Sequence, residues 1–137
     1  MHMHYVLAVS DDEEDIAFLD QAFHSQPGNI PVRCMIGGLK LWDFVCNCSP
    51  NQVPFLIVID QNLHDIDSLA LITRLKADNQ SRLIPVAIMS GCASEEMICE
   101  YYRAGANCFY KKPVDPLDWL HMADCLATLF FNGGQRG

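Results

Sequence analysis

The stretch Phe55-Leu56-Ile57-Val58-Ile59-Asp60 constrains this chain more than any other: five apolar residues in a row, three of them β-branched, closed by one carboxylate. A run with no polar alternation fits a strand buried on both faces, and a parallel sheet with helices above and below provides that burial. In open α/β sheets ligands bind beyond the carboxyl ends of the strands, so Asp60 stands where chemistry is expected. Capping the turn that follows, Gln61-Asn62-Leu63, is the plainer role for an Asp there. The rest of the chain decides between the two.

Tyr5 to Val9 is a short apolar strand ended by Ser10-Asp11-Asp12. From Asp12 to about Ser25, Ile16, Leu19, Ala22 and Phe23 recur at helical spacing, with acids in the first turn where the helix dipole favours them. Pro27-Gly28 breaks that helix. Val32 to Ile36 reads as a second strand, closed by Gly37-Gly38, and Leu39 to Cys48 as a short helix with Leu41, Trp42, Phe44 and Val45 on one side. Beyond the central strand, Leu69, Ile72 and Leu75 mark a third helix to about Ala77. Ile84 to Met89 is a fourth strand ended by Ser90-Gly91. Ser94 caps a fourth helix running to Arg103, with Met97, Ile98 and Tyr101 turned inward and Gly105 as its stop. Asn107 to Tyr110 is a fifth strand ended by Lys111-Lys112-Pro113. Pro116 opens a last helix carrying Leu117, Leu120, Cys125, Leu126 and Leu129. The segment from Asn132 to Gly137 and the terminus holding His2 and His4 are expected to fray.

Strand and helix alternate five times, which predicts a single parallel sheet covered on both faces. At 137 residues the chain accommodates one domain, with a core from about residue 5 to 130. The net charge of −8 argues against a nucleic-acid-binding surface. Five of the seventeen acids fall in Asp11-Asp12-Glu13-Glu14-Asp15, of which Glu13, Glu14 and Asp15 read as a solvated first helical turn. No apolar stretch reaches the ~18 residues of a membrane span, and Tyr5 to Val9 runs straight into acids, unlike a secretory leader. Seven cysteines is an odd number for a disulfide framework, and Cys46-x-Cys48 has no matching Cys or His pair at zinc spacing. Buried, reduced thiols in a cytoplasmic protein are the expectation.

Where sheet connections reverse after the first strand, the carboxyl ends of strands one and three lie side by side. Ser10-Asp11-Asp12 would then meet Asp60, with Ser90 and Lys112 at the ends of strands four and five. Carboxylates so placed repel by about 4 kcal/mol per pair at ~4 Å and an effective dielectric constant near 20. A hard divalent cation such as Mg²⁺ would relieve this, as would the ammonium of Lys112. A carboxylate beside a metal, a lysine and a hydroxyl is equipped to take a phosphoryl group as an aspartyl phosphate.

These motifs resemble those of response-regulator receiver domains, the phosphoacceptor half of bacterial two-component signalling. That family carries an acidic pair after strand one, an acceptor Asp after strand three, a Ser or Thr after strand four and Lys-Pro after strand five. Here the positions read Ser10-Asp11-Asp12, Asp60 through Ser68, Ser90-Gly91 and Lys112-Pro113. The resemblance spans Tyr5 to about Phe130. It implies a flavodoxin-like, doubly wound sheet of five parallel strands in the order 2-1-3-4-5 with five helices. It makes Asp60 the phosphoacceptor, gives Mg²⁺ to Asp11, Asp60 and the backbone carbonyl of Asn62 with Asp12 as a further candidate, and sets Ser90 and Lys112 against the phosphoryl group. It further implies a cis Lys112–Pro113 bond and makes Phe109 the aromatic that moves with Ser90 on activation. A sensor histidine kinase or a histidine phosphotransfer protein would donate the phosphate. With no output domain after the receiver, the signal would pass to a downstream protein by contact, and no catalysis beyond the domain's own phosphorylation and dephosphorylation is expected.

Several residues depart from the family pattern. Ser10 stands in place of the first acid, His64 in place of a Pro and Ser68 in place of a Gly, while Phe109 lacks a hydroxyl. They leave open an alternative, a degenerate receiver acting as a phosphorylation-independent docking module. A phosphatase of the haloacid dehalogenase type also uses an Asp nucleophile, but it needs a second Asp where Asn62 stands.

Overall fold

The computed structural model describes residues 5–92 and 94–132. His2, His4 and the last five residues of the expected frayed tail lie outside that range. Five strands, β1 (Val6–Val9), β2 (Val32–Met35), β3 (Leu56–Asp60), β4 (Val86–Ser90) and β5 (Cys108–Lys111), alternate with five helices, α1 (Glu13–His24), α2 (Gly38–Asn47), α3 (Ser68–Ala77), α4 (Glu95–Ala104) and α5 (Pro116–Leu126). All pairings are parallel and the strand order is β2-β1-β3-β4-β5, the expected doubly wound, flavodoxin-like arrangement.

Alternation along the strands divides the core into two layers. Leu7, Val9, Ile57, Ile59, Val86 and Ile88 pack with Leu41, Leu71, Ile72, Leu75 and Tyr101, the layer under α2, α3 and α4. Val6, Ala8, Leu56, Val58, Ala87 and Met89 pack with Leu19, Phe23, Trp119, Met122 and Leu126, the layer under α1 and α5. β1, β3 and β4 are buried along their whole length, as unbroken apolar runs in a parallel sheet should be.

The helix ends follow their local chemistry. Asp12, Asp67, Ser94 and Asp115 each cap a helix with a side-chain oxygen, and Gly105, at φ 112°, closes α4 in the left-handed conformation. α2 has no cap of its own. Asp65, from the β3–α3 loop, supplies one by accepting from the N–H groups of Gly38 (3.0 Å) and Leu39 (3.1 Å). Gly37, at φ 102°, lets the chain pass close to that carboxylate: a Cβ there would sit 2.8 Å from Asp65 Oδ2. The loop following Asp60 is thereby tied to the body of the domain.

The structure selects one face of α5 and corrects two expectations. α5 buries Trp119, Met122, Ala123 and Leu126, while Leu117, Leu120, Cys125 and Leu129 are exposed. Both sets satisfy helical spacing, and the stacking of Trp119 on Phe18 of α1, centroids 5.6 Å apart, fixes the rotation. The cysteines are unpaired but not buried: Cys34, Cys46, Cys92, Cys99 and Cys125 are exposed, and Cys48 and Cys108 are half-buried. Finally, no described peptide bond is cis, so Lys112–Pro113 is trans, the form X–Pro bonds favour by about 0.5–1 kcal/mol.

Candidate functional site

Strand register assembles the site. Val9 pairs with Ile59, so Ser10 lies level with Asp60, and Asp60 itself pairs with Met89. Asp60 is 3% exposed. Leu56 and Val58 face the α1/α5 layer, and Asp60, two residues further on, projects to the same side. Its Oδ2 accepts from Ser10 Oγ (3.0 Å) and Lys112 Nζ (2.9 Å), and its Oδ1 from the N–H of Asn62 (3.0 Å). The Lys112 N–H donates to the carbonyl of Ser90 (2.7 Å), which anchors the lysine backbone at the end of β4.

Lys112 has a second anion. Asp15, from the first turn of α1, lies 2.7 Å from Nζ through Oδ2, and both its own and Asp60's side chains are nearly buried. Asp15 Oδ2 has no hydrogen-bond partner of good geometry, so the ammonium's charge is its compensation. Burial alone would lower the pKa of Lys112, but hydrogen bonds and charge from Asp15 and Asp60 outweigh it and hold the pKa above the ordinary lysine value. Asp15, read from sequence as solvated, is thus part of the site. The signal was present: Asp15, Leu19, Ala22 and Phe23 are the buried positions of α1 and share one helical stripe.

Asp11 is fixed from across the site. Its Oδ2 accepts from the backbone N–H of His64 (2.8 Å) and meets the ring Nδ1 of the same residue. Asp12 is committed to α1, accepting from the N–H groups of Glu14 and Asp15. Asp11, Asp12, Asp60, Asn62, His64 and Lys112 line one open cavity of about 640 Å³.

Ser90 is not among them. Register puts it one residue beyond the partner of Asp60, so alternation turns it to the α3/α4 layer. Its Oγ meets Gln61 Oε1 (3.2 Å), the Cys92 carbonyl and Met97 Sδ. Gln61, next to Asp60, leads onward: its carbonyl accepts from Ser68 Oγ (2.8 Å), which also bonds the hydroxyl of Tyr101. Phe109 packs on the Tyr101 ring, centroids 5.7 Å apart. Burial pushes the Tyr101 phenol above its usual pKa against the opposing pull of its hydrogen bonds with Ser68 and Gln61.

The donor set suits a hard cation. Of the carboxylates that line the cavity, Asp12 caps α1 and Glu13 and Glu14 belong to its first turn, which leaves Asp11 and Asp60 beside the main chain of Asn62; Mg²⁺ is commonly held by one or two carboxylates with waters and phosphate oxygens completing the shell. Among the described residues no group of three or more His, Cys, Asp or Glu is placed to hold a metal. Asp11 and Asp60 fit a two-carboxylate mode.

A family model for the response regulator receiver domain matches residues 6–124. The response regulator Rre1 of Synechocystis sp. is 24% identical over 110 residues, covering 80% of this chain and 46% of that protein. An uncharacterized 14.6 kDa protein of Leptolyngbya boryana is 31% identical over 78 residues, covering 56% of this chain and 60% of that protein. The chain spans about half the length of these curated relatives. Among solved structures, the phosphorylated cyanobacterial phytochrome response regulator RcpA superposes with a TM-score of 0.84 at 20% identity, covering 96% of this chain and 95% of that one. The Mn²⁺-bound form of response regulator Rcp1 gives 0.80 at 20% identity, over 91% and 92%. At these identities the superpositions show a shared fold.

Proposed function

Because the chain belongs to the response regulator receiver domain family, we propose that it accepts a phosphoryl group on Asp60 in a Mg²⁺-dependent reaction and signals by contact with another protein. The donor would be a sensor histidine kinase or a histidine phosphotransfer protein. The observation that carries this reading is the ion pair of Lys112 Nζ with Asp60 Oδ2, 2.9 Å, in a cavity that also holds Asp11.

In the reaction an Asp60 carboxylate oxygen bonds to phosphorus as the bond from phosphorus to the donor breaks, and the leaving group departs with the electron pair. Asp60 gives up its charge and the phosphoryl group brings about −1.5 to −2. Lys112, already at Asp60, exchanges a carboxylate oxygen for a phosphoryl oxygen, which is electrostatic stabilisation that needs little rearrangement. Ser10 Oγ and the Asn62 N–H hold the carboxylate in one orientation before transfer. Bound Mg²⁺, held by Asp11, Asp60 and the Asn62 carbonyl, would supply neutralisation of the phosphoryl oxygens. Ser90 would have to move from Gln61 and Cys92 to reach the phosphoryl group, and Gln61, Tyr101 and Phe109 lie along the path such a movement would disturb. No turnover of an external substrate is proposed.

The acidic surface disfavours nucleic acid as a partner, and no described helix is long and apolar enough to cross a membrane. A cytoplasmic location, where histidine kinases deliver phosphate, accords with this reading.

One observation favours the second reading, a phosphorylation-independent docking module. Asp11 Oδ2 is already engaged by both the N–H and the ring of His64, and Ser10 contributes a hydroxyl where an acid would add charge. Incubation with Mg²⁺ and acetyl phosphate separates the two. Intact-protein mass spectrometry should show one added phosphoryl group, lost in Asp60→Asn; no gain, or a gain that survives the substitution, would falsify the acceptor role.

A further inference from the structure

Asp15 sits in an unfavourable place for a carboxylate. It is 8% exposed, and among the described residues Oδ2 has no hydrogen-bond partner of good geometry and one cation against it, Lys112 at 2.7 Å. Burying a charge is costly unless it is paired and hydrogen-bonded, and this carboxylate is only half provided for. Stability alone would be served by an apolar residue continuing the stripe of Leu19, Ala22 and Phe23.

Lys112 has somewhere else to go. Its side chain is 24% exposed, and the residue lines two cavities, the acidic one over Asp60 and another of about 370 Å³ between β5 and α5 formed with Tyr110, Val114, His121 and Met122. A long ammonium side chain left to itself favours water. Two anions keep Nζ in the acidic cavity, and only one of them lasts. Once Asp60 becomes an acyl phosphate its carboxylate charge is gone, whereas Asp15 takes no part in bond making and remains an anion.

We propose that Asp15 is a positioning residue that holds the Lys112 ammonium over Asp60 throughout phosphoryl transfer. The inference rests on the acceptor reading of Asp60. Asp15 touches neither donor nor phosphoryl group; it acts by denying the lysine its outward rotamers, so that the cation faces the charge developing on phosphorus. With acetyl phosphate, the Asp60 oxygen bonds to phosphorus, the bond from phosphorus to the acyl oxygen breaks, acetate leaves with the electron pair, and no proton changes place. Lys112 stays an ammonium throughout.

The test is a double-mutant cycle read by the rate of labelling with acetyl phosphate and Mg²⁺ on intact protein. Asp15→Asn, close in shape but uncharged, should slow labelling roughly ten- to hundredfold. In a Lys112→Met background the same substitution should change the rate by no more than about twofold, because an effect that passes through Lys112 disappears with it. A role confined to the stability of α1 would slow both backgrounds alike. Folding is checked by circular dichroism, and Asp15→Ser gives the same comparison should the Asn variant not fold. A labelled wild type with an Asp15→Asn rate equal or faster, or equal losses in both backgrounds, overturns this inference alone. A wild type that takes up no phosphoryl group overturns the acceptor reading, and the role of Asp15 with it.

Discussion

His64 meets Asp11 through two groups at once: its backbone N–H lies 2.8 Å and its ring Nδ1 2.5 Å from the same oxygen, Oδ2, across fifty-three residues of sequence. Beside an ionised carboxylate, the ring nitrogen must carry the hydrogen for this to be a bond. The exposed imidazole is 79% accessible, yet it orients a side chain that is only 14% accessible. Asp11 also lines the open cavity over Asp60.

If Asp11 helps to hold a divalent cation, His64 tunes that affinity from outside the coordination shell. His64→Ala keeps the backbone N–H and should weaken Mn²⁺ binding by about tenfold, the low end for loss of a supporting hydrogen bond. His64→Asn, whose amide N–H stands near the place of Nδ1, should recover most of it. Electron paramagnetic resonance of free Mn²⁺ measures both, and an unchanged affinity in the Ala variant removes the ring from any such role.

Removing Lys112 leaves Asp15 and Asp60 facing each other without a cation. Lys112→Met should lower unfolding stability by about 2 kcal/mol, under the 3–5 kcal/mol of fully buried pairs because the ammonium is partly solvated. The pKa of Lys112 is raised on folding, so its contribution is complete below the ordinary lysine value of 10.5 and fades as pH climbs through the folded value. Urea titrations at neutral pH and above pH 10.5 should therefore show the gap between wild type and variant narrowing in alkali.

Tyr101 and Ser68 form a buried hydroxyl pair beside Gln61. Tyr101→Phe preserves the packing on Phe109 while Ser68 Oγ still donates to the Gln61 carbonyl. The expected loss is about 1 kcal/mol, the net worth of one hydrogen bond. Chemical denaturation would show it as a shifted midpoint with an unchanged slope.

Asp65 acts as a remote cap for α2. Burial tends to raise its pKa, but the N–H groups of Leu39 and Gly38, with its own and that of Ile66, outweigh this and hold it below the ordinary carboxylate value of 3.8. Its stabilisation is therefore complete above that value and is lost as pH falls through the folded one. Asp65→Asn should cost about 1 kcal/mol at neutral pH and flatten the acid limb of the stability profile. A variant whose acid limb matches wild type would assign that limb to other carboxylates.

Much of the domain was legible from local pattern. The apolar runs and their polar ends fix five strands, Ser94 and Gly105 bracket α4, and the ends of β1, β3 and β5 correctly bring Ser10, Asp11, Asp60 and Lys112 to one edge. Periodicity reports burial because each element must hide one face or two, and that requirement is written residue by residue.

What the sequence left open are relations that depend on how elements meet. Two apolar stripes on α5 satisfy the same spacing, and only the seat of Trp119 against Phe18 selects one. Cysteine is apolar by type, but five of those here are exposed, three of them on the outer faces of α2, α4 and α5. Ser90 reaches the correct strand end, while the register of β3 with β4 turns its hydroxyl to the opposite layer from Asp60. Asp15 reads as one more acid in a charged first turn until α1 is laid against the sheet and its carboxylate meets an ammonium ninety-seven residues away. Local chemistry determined which groups this protein owns and at which strand ends they stand. Tertiary packing decided which of them share a hydrogen bond, because a contact of 2.7 Å depends on register and helix rotation that no short window of sequence records.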